Sequence, residues 1–462
     1  MALLTIAAVL PTALLGSAPA DEPECPVELG CHVTPAAYAQ TDPGNPNAYG
    51  NYDPADRPRD GNDIRYIVIH NTEESYDFAI ARFQDPHRGV SAHYLIRSSD
   101  GQVTQLVHTS DIAYHAGNYW FNMHSIGIEH EGVLVDGARW YTEPMYQASA
   151  RLVRYLAARY HIPLDREHIM GHEELPGTTP DRVAAMHYDP GPYFDWAHYF
   201  ELLGAPLLDT PLLDAPLLDV PLPDTPIPAA RVWTPPVLMI APRFATNLES
   251  LQNCIAGSCT DLPPQGSNVV YLHTEPRTDA PLIGDPVLHP DGSPGTTRIA
   301  DWSASAVTGQ SFVVAGRSGQ WTAIWFGGQL AWLEHPSARI SSPRHGLLVT
   351  PRPGRSAIPV YGAAYPEVTA YPPTIPVTAI VPLQYTIPTG QVYLGVASTV
   401  GNYYYAGFDG ANMPNNHTLI VGNRHLIEIS FNHRRAFVDA TDVLIRPKPA
   451  AGNGTVSRAL LD

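Results

Sequence analysis

The sequence predicts a multidomain chain in which an α/β domain, a central mixed sheet flanked by helices, precedes small all-β, barrel-like modules. Apolar runs of strand length alternate with helix-spaced apolar residues across residues 61–204. A proline recurs every fifth residue just beyond, and short strand-like runs separated by turn residues fill the rest of the chain. At 462 residues the chain is long enough for two or three such units, each with its own core.

Residues 1–20 are apolar and uncharged, and they close on Ala18-Pro19-Ala20 before the acidic Asp21-Glu22-Pro23-Glu24. They read as a signal peptide with a small-residue cleavage site, although Pro11 interrupts the run and no Lys or Arg follows Met1. The mature chain is then expected to be secreted, extracellular or associated with the cell wall. Beyond the leader no stretch is long enough to span a bilayer, so membrane insertion of the mature chain is not expected. Residues 21–60 are rich in Pro, Gly, Asn, Asp and Tyr without a period, which predicts an irregular N-terminal arm.

Order begins at Ile64-Arg65-Tyr66-Ile67-Val68-Ile69, a strand that delivers His70 at its C-terminal end. Strand-like runs at 91–97 and 102–107 flank Ser98-Ser99-Asp100-Gly101, whose Asp-Gly step makes a hairpin turn. Another strand covers 125–131. Met145, Ala148, Leu152, Val153, Leu156, Ala157 and Tyr160 recur at helical spacing, which predicts an amphipathic helix over 143–160 lying on the sheet. A short helix over 194–203 ends at Gly204, the residue a C-cap prefers. Repeats from Ala-Pro-Leu-Leu-Asp to Thr-Pro-Ile-Pro occupy 205–236, where the prolines forbid helix and sheet interior and leave a semi-rigid linker. All-β modules are expected at 237–340 and 341–446, with a C-terminal tail at 447–462.

A net charge of -18, with 27 Lys+Arg against 45 Asp+Glu, argues against a nucleic-acid partner and against an anionic membrane surface. The four cysteines fall as two close pairs, Cys25 with Cys31 and Cys254 with Cys259, a spacing that suits small-loop disulfides in an oxidising compartment. A four-thiolate metal site competes poorly, because the linker separates the pairs and neither is a CxxC.

Hydrolysis of an amide at neutral pH needs a strong nucleophile and a stabiliser for the oxyanion, and a metal ion with an open coordination position provides both. Candidate donors are His70 at a strand end, His172 after Ile169-Met170-Gly171, and Asp189 opening Asp189-Pro190-Gly191-Pro192. Singly, such a histidine is more often a packed or hydrogen-bonded residue than a ligand. His93 and His115 would line a cleft or orient their neighbours, while His161 and His168 flank an exposed turn.

Six blocks of the chain stand in one order across residues 63–200. They are Ile67-Val68-Ile69-His70-Asn71-Thr72, Ser91-Ala92-His93-Tyr94-Leu95-Ile96 and Tyr114-His115-Ala116-Gly117-Asn118, then Ser125-Ile126-Gly127-Ile128-Glu129, Gly171-His172-Glu173-Glu174-Leu175 and Asp189-Pro190-Gly191-Pro192-Tyr193-Phe194-Asp195-Trp196. In these blocks the chain resembles the zinc-dependent N-acetylmuramoyl-L-alanine amidase type 2 family, related to phage lysozyme-type amidases and peptidoglycan-recognition proteins. The resemblance implies one zinc per catalytic domain, held by His70, His172 and Asp189. It makes Glu129 the general base that takes a proton from the attacking water, with Glu131 as the alternative on the same face. His187 stands where the family usually places a Lys or another cation facing the scissile carbonyl, so an imidazole would be the oxyanion donor or a substitute ligand. Residues 176–186 look like an insertion relative to the family, which leaves His187 and Asp181 as rivals of Asp189; a bland helix-entry role for Asp189 is the other reading.

The β modules resemble bacterial Src-homology-3-like wall-binding domains. Trp321, Trp325, Trp332, Tyr403, Tyr404 and Tyr405 are either platforms for sugar or peptide or, for most of them, core aromatics. The implied function is cleavage of the amide between N-acetylmuramic acid and L-alanine in peptidoglycan or muropeptides, by a catalytic domain tethered to modules that hold it at the polymer. A non-catalytic muropeptide-recognition protein is the alternative, against which Asp189 and Glu129 speak. A cytosolic recycling amidase conflicts with the leader and the appended domains. With so few contacts expected across the linker, cutting the chain near Ala215 leaves a folded catalytic fragment.

Overall fold

All six residues of the strand that ends in His70 and Asn71 are buried, so both of its faces need a covering layer. The computed structural model describes residues 22–207, 236–334, 338–341, 347–408 and 417–447. The expected leader, nearly all of the Pro-rich linker and all but the first residue of the expected tail lie outside the described residues.

The first domain carries strands β1 (His32–Val33), β2 (Tyr66–Asn71), β3 (Tyr94–Ile96), β4 (Val103–Gln105), β5 (Ser125–His130) and β6 (Ile169–Gly171). Their spatial order is β1-β4-β3-β5-β2-β6. Only β3 and β4 run antiparallel, across the predicted turn, so the sheet is mixed as expected. Its helices are α1 (Tyr76–Phe83), α2 (Tyr119–His124), α3 (Glu143–Tyr160) and α4 (Trp196–Leu202). The bounds of α3 match the apolar period; the Thr142 side chain accepts the Met145 N–H at its start, and Pro144 sits in the first turn, where no N–H is missed.

Strand alternation divides the sheet between two cores. Ile67, Ile69, Ile126, Ile128 and Ile169 pack with Met145, Leu152, Val153 and Leu156 of α3 and with Trp196, Tyr199 and Phe200 of α4. Tyr66, Val68 and Met170 face the other way and cluster with Trp120 and Phe121 of α2. That second cluster is completed by Tyr361, Ala363, Ala364, Tyr365, Leu426 and Phe437, all from the C-terminal region.

Among the described residues that region forms two large sheets and two two-stranded ribbons. Strands β7 (Val237–Ile240), β8 (Ser311–Ser318), β9 (Trp321–Phe326), β10 (Gln329–Glu334) and β11 (Ala338–Ser341) lie in the order β10-β9-β8-β7-β11. Strands β12 (Leu347–Pro351), β13 (Ala357–Tyr361), β14 (Pro382–Pro388), β15 (Tyr393–Tyr405), β16 (Thr418–Ser430), β17 (Arg435–Asp439) and β18 (Val443–Pro447) lie in the order β14-β13-β17-β16-β15-β12-β18. Neither sheet closes among the described residues, so open sheets replace the expected barrel-like modules. The physical reason is packing on neighbours: Tyr361, Leu426 and Phe437 of the seven-stranded sheet bury against α2, and Val237 and Val313 of the five-stranded sheet bury against Leu348 and Leu394 of the other. β15 runs for 13 residues, with irregularities of register at Gly395/Ala397 and Val400/Asn402 that let a long strand bend.

A polar seam surrounds the shared core. The Tyr66 hydroxyl donates to Glu428 at 2.6 Å, and the Asn402 side-chain oxygen accepts from Trp120 Nε1 at 3.0 Å. The Asn268 side chain donates to the carbonyls of Gly191 and Phe194 at 2.9 and 2.7 Å. The N-terminal arm is also built in. Cys25 and Cys31 form a disulfide, and the buried Glu24 carboxylate accepts from Gln105, from Thr109 and from Arg159. The second disulfide, Cys254 with Cys259, bridges a two-stranded ribbon.

The expectation that a cut in the linker frees a folded fragment is therefore reversed. A chain ending at residue 207 would expose Tyr66, Val68, Met170, Trp120 and Phe121, now buried. Each such side chain contributes about 1.5–3 kcal/mol when buried, against a total stability on the order of 5–15 kcal/mol. The fragment is expected to aggregate or to lack a cooperative melting transition in thermal denaturation. A soluble fragment that melts as sharply as the full chain would show that this face needs no cover.

Candidate metal centre and cleft

Parallel pairing of β2 with β5 sets His70 opposite Glu129, so both side chains leave the same face at the C-terminal ends of their strands. β6 pairs Gly171 with Ile69 on the other side of β2, and the short turn His172–Glu174 just after it brings His172 beside His70. Asp189 arrives on a loop fixed by two backbone donors: the Asn71 N–H reaches its Oδ2 at 3.1 Å, and the Glu173 N–H reaches its carbonyl at 2.7 Å.

Donor atoms of His70, His172 and Asp189 thus lie within 4.8 Å of one another, and all three residues are buried. His70 Nδ1 is 3.3 Å from Asp189 Oδ2, and His172 Nδ1 is 3.1 Å from Asp189 Oδ1. Both ring nitrogens of His172 and Oδ1 of Asp189 have no hydrogen-bond partner. Buried polar atoms are rarely left so. Two imidazoles and a carboxylate are a donor set that suits a divalent ion with one position open, and the orphaned atoms fit it. Burial, helped by the nearby His172, pushes His70 down to about 4, which keeps its ring neutral and able to donate a lone pair. Burial resists ionisation of Asp189, yet His172, His187 and His70 together hold its carboxyl well below the usual range.

His115 fixes which nitrogen of His70 faces the centre. The Ser125 hydroxyl donates to the Phe121 carbonyl, so it accepts from His115 Nε2, 3.1 Å away. His115 Nδ1 is then an acceptor for His70 Nε2 at 3.0 Å, which leaves His70 Nδ1 as the free lone pair. Gly127 makes room for this ring, since a Cβ there would lie 2.4 Å from it. His93 orients the backbone: its Nδ1 accepts the Gly127 N–H at 3.0 Å.

The two acidic candidates separate. Glu129 lines the cleft, and its Oε2 has no partner; burial and then Asp189, Glu74 and Glu73 push its carboxyl up. Glu131 is committed elsewhere, accepting the N–H of Tyr76 at the start of α1 at 3.0 Å and the N–H of Ser98 at 2.8 Å. His187 sits exposed at the rim, stacked on His172 with ring centres 4.8 Å apart, and the adjacent Asp189 raises its pKa. Asp181 is exposed and accepts the Thr179 hydroxyl at 2.6 Å, away from the three donors.

Two features carry no sequence signal. Val183, from the inserted stretch, is buried in the core of the C-terminal sheet, and Gly362 approaches so closely that a Cβ there would lie 1.8 Å from the Gly177 carbonyl. The insertion therefore reaches across to the β region. Arg434 is the second. Its guanidinium donates to the carbonyls of Leu175 at 2.8 Å and His187 at 2.9 Å and lies over the Trp302 ring. It ties together the loops that carry His172 and Asp189. An arginine in the turn between β16 and β17 offers no local hint of this role. The cleft above the centre encloses about 800 Å³ and draws its walls from the arm, the first domain and β15.

Fold and site together bring two imidazoles and a carboxylate into a group that could hold a metal ion, with the acidic Glu129 on the neighbouring strand and a cleft above. The family model described as N-acetylmuramoyl-L-alanine amidase matches residues 60–192. N-acetylmuramoyl-L-alanine amidase A of Achromobacter lyticus is 37% identical over 175 residues, covering 34% of this chain and 91% of that protein. The 1,6-anhydro-N-acetylmuramyl-L-alanine amidase AmpD of Escherichia coli (strain K12) is 39% identical over 119 residues, covering 24% of this chain and 58% of that one. A solved selenomethionine derivative of AmpD is 30% identical, covers 37% of this chain and 94% of that chain, and has a TM-score of 0.28. The chain belongs to the N-acetylmuramoyl-L-alanine amidase family.

If Arg434 holds the two ligand loops in place, Arg434→Met should weaken metal affinity by about tenfold or more, the usual size of outer-shell effects. Competition with a chromogenic chelator reads this directly, with circular dichroism to confirm the fold. Unchanged affinity in a folded variant would remove the role.

Proposed function

We propose that this protein is a secreted peptidoglycan hydrolase that cleaves the amide between N-acetylmuramic acid and the L-alanine of the stem peptide, with a zinc ion held by His70, His172 and Asp189. One observation carries the reading: the unpartnered donors of His172 and Asp189 meet His70 beside Glu129, at the base of an open cleft, in a chain of this family. When bound, zinc in such a site supplies Lewis-acid polarisation of a carbonyl and an activated water.

The chain's own residues do the rest. Glu129, which lines the cleft and whose buried Oε2 has no hydrogen-bond partner, takes the proton of the attacking water and passes it to the leaving nitrogen. His187, at the rim beside Asp189 and stacked on His172, offers an N–H to the carbonyl oxygen as charge develops there. A recognition protein that binds without cutting needs neither the third donor nor a free carboxylate in the cleft, so the catalytic reading is favoured. Secretion is supported by two disulfides, with no free cysteine among the described residues. No described helix is long and apolar enough to cross a membrane.

Mass spectrometry of the products from purified peptidoglycan tests the reading. Peptides with a new N-terminal L-alanine and glycans with a free lactyl carboxylate are expected; products cut at any other bond would contradict it. Glu129→Ala should keep one zinc per chain and lose turnover by roughly 100-fold or more. Glu131→Ala should instead lower the unfolding free energy by about 1 kcal/mol through lost capping, and leave turnover within a few-fold. Near-normal turnover in Glu129→Ala would remove Glu129 from the reaction.

A further inference from the structure

The cleft wall near the arm is made of tyrosines from three separate parts of the chain. Hydroxyls of Tyr49, Tyr114 and Tyr119 all donate to the buried carboxylate of Asp53, which pins the three rings. The end of β15 continues this wall. Tyr404 packs on Ile112 and Met123 and is mostly buried, Tyr403 and Tyr405 are half-buried, and all three line the cleft. The Tyr403 ring lies 5.6 Å from that of Tyr119. Beyond Tyr405 the segment is strapped down, with the Phe408 N–H donating to the Pro46 carbonyl at 2.7 Å and its ring 5.8 Å from Tyr49. Of the six aromatics singled out in the β region, Trp332 is core, while Tyr403, Tyr404 and Tyr405 line the cleft of the candidate metal centre, the two half-buried ones offering the most surface.

We propose that this tyrosine wall is the subsite for a sugar ring of the glycan strand, so that the C-terminal sheet sets glycan-side specificity; the proposal rests on the amidase reading. The scissile amide has a glycan on one flank and a peptide on the other, and the cleft offers two chemically different stretches. Glu73, Glu74 and Arg82 gather around Glu129 and suit a peptide that carries amines and carboxylates. Tyrosine faces are apolar and uncharged, and they take the C–H face of a pyranose without desolvating a charge, while their hydroxyl edges remain polar. The charge behind this wall, Asp53, is satisfied by the three hydroxyls.

The test uses the full chain, with Tyr405→Ala and the ring-preserving Tyr405→Trp. Two probes are titrated calorimetrically: a peptide-free tetrasaccharide of alternating N-acetylglucosamine and N-acetylmuramic acid, and the free stem peptide. Tyr405→Ala is expected to weaken tetrasaccharide binding about 3- to 10-fold, the size of one lost aromatic contact, and to leave peptide binding unchanged; Tyr405→Trp should restore it. On a glycan-bearing substrate the loss should appear in KM, with kcat within twofold. A wild-type chain that does not bind the tetrasaccharide, or a loss that falls on the peptide instead, would overturn the proposal. Failure of the wild-type chain to cut the amide while Tyr405→Ala still loses glycan binding would overturn the amidase reading and leave the subsite standing.

Discussion

A parallel strand buries both of its faces, and β2, flanked by β5 and β6, cannot stand with helices on one side alone. Helices α3 and α4 cover the isoleucine face. The opposite face, which carries Tyr66, Val68 and finally His70, is covered by α2 and by the seven-stranded sheet from the far end of the chain. That cover stops short of the strand ends. The cleft opens where it stops, so the same packing that completes the core also sets the walls around His70, His172 and Asp189.

The centre depends on this arrangement at several levels. Register between β2 and β5 places Glu129 next to His70, and Gly127, opposite Val68, leaves the space into which His115 inserts. His115 and Ser125 then select the nitrogen that His70 presents. Arg434 reaches from the β region to the carbonyls of Leu175 and His187, so the loops bearing the other two donors are braced from outside the first domain. A donor set held by its neighbours before an ion binds loses less freedom on binding.

Much of this was legible in the sequence, for local reasons. The period of α3, the Asp-Gly turn between β3 and β4, and the apolar run of β2 are signals carried by neighbouring residues. The three donors were legible through the order of motif blocks, and the structure brings them within one small volume. Legibility failed where long-range contacts decide. Helices α1 and α2 are too short for a period to declare itself. Short strands with turns between them read the same whether a sheet closes on itself or lies on another domain, so open sheets were mistaken for barrels. Glu129 and Glu131 share a strand face, and only the N–H groups of Tyr76 and Ser98 separate their roles. A proline-rich spacer suggested independence, whereas Trp120, Tyr365 and Phe437 share one core across it.

Differential scanning calorimetry of the full-length protein tests the shared core most directly, because cooperative units report themselves as separate transitions. A single transition whose calorimetric and van't Hoff enthalpies agree is predicted for a catalytic domain and β region that complete each other's cores. Two separable transitions, the lower one belonging to the β region and leaving the amidase domain folded, would contradict it.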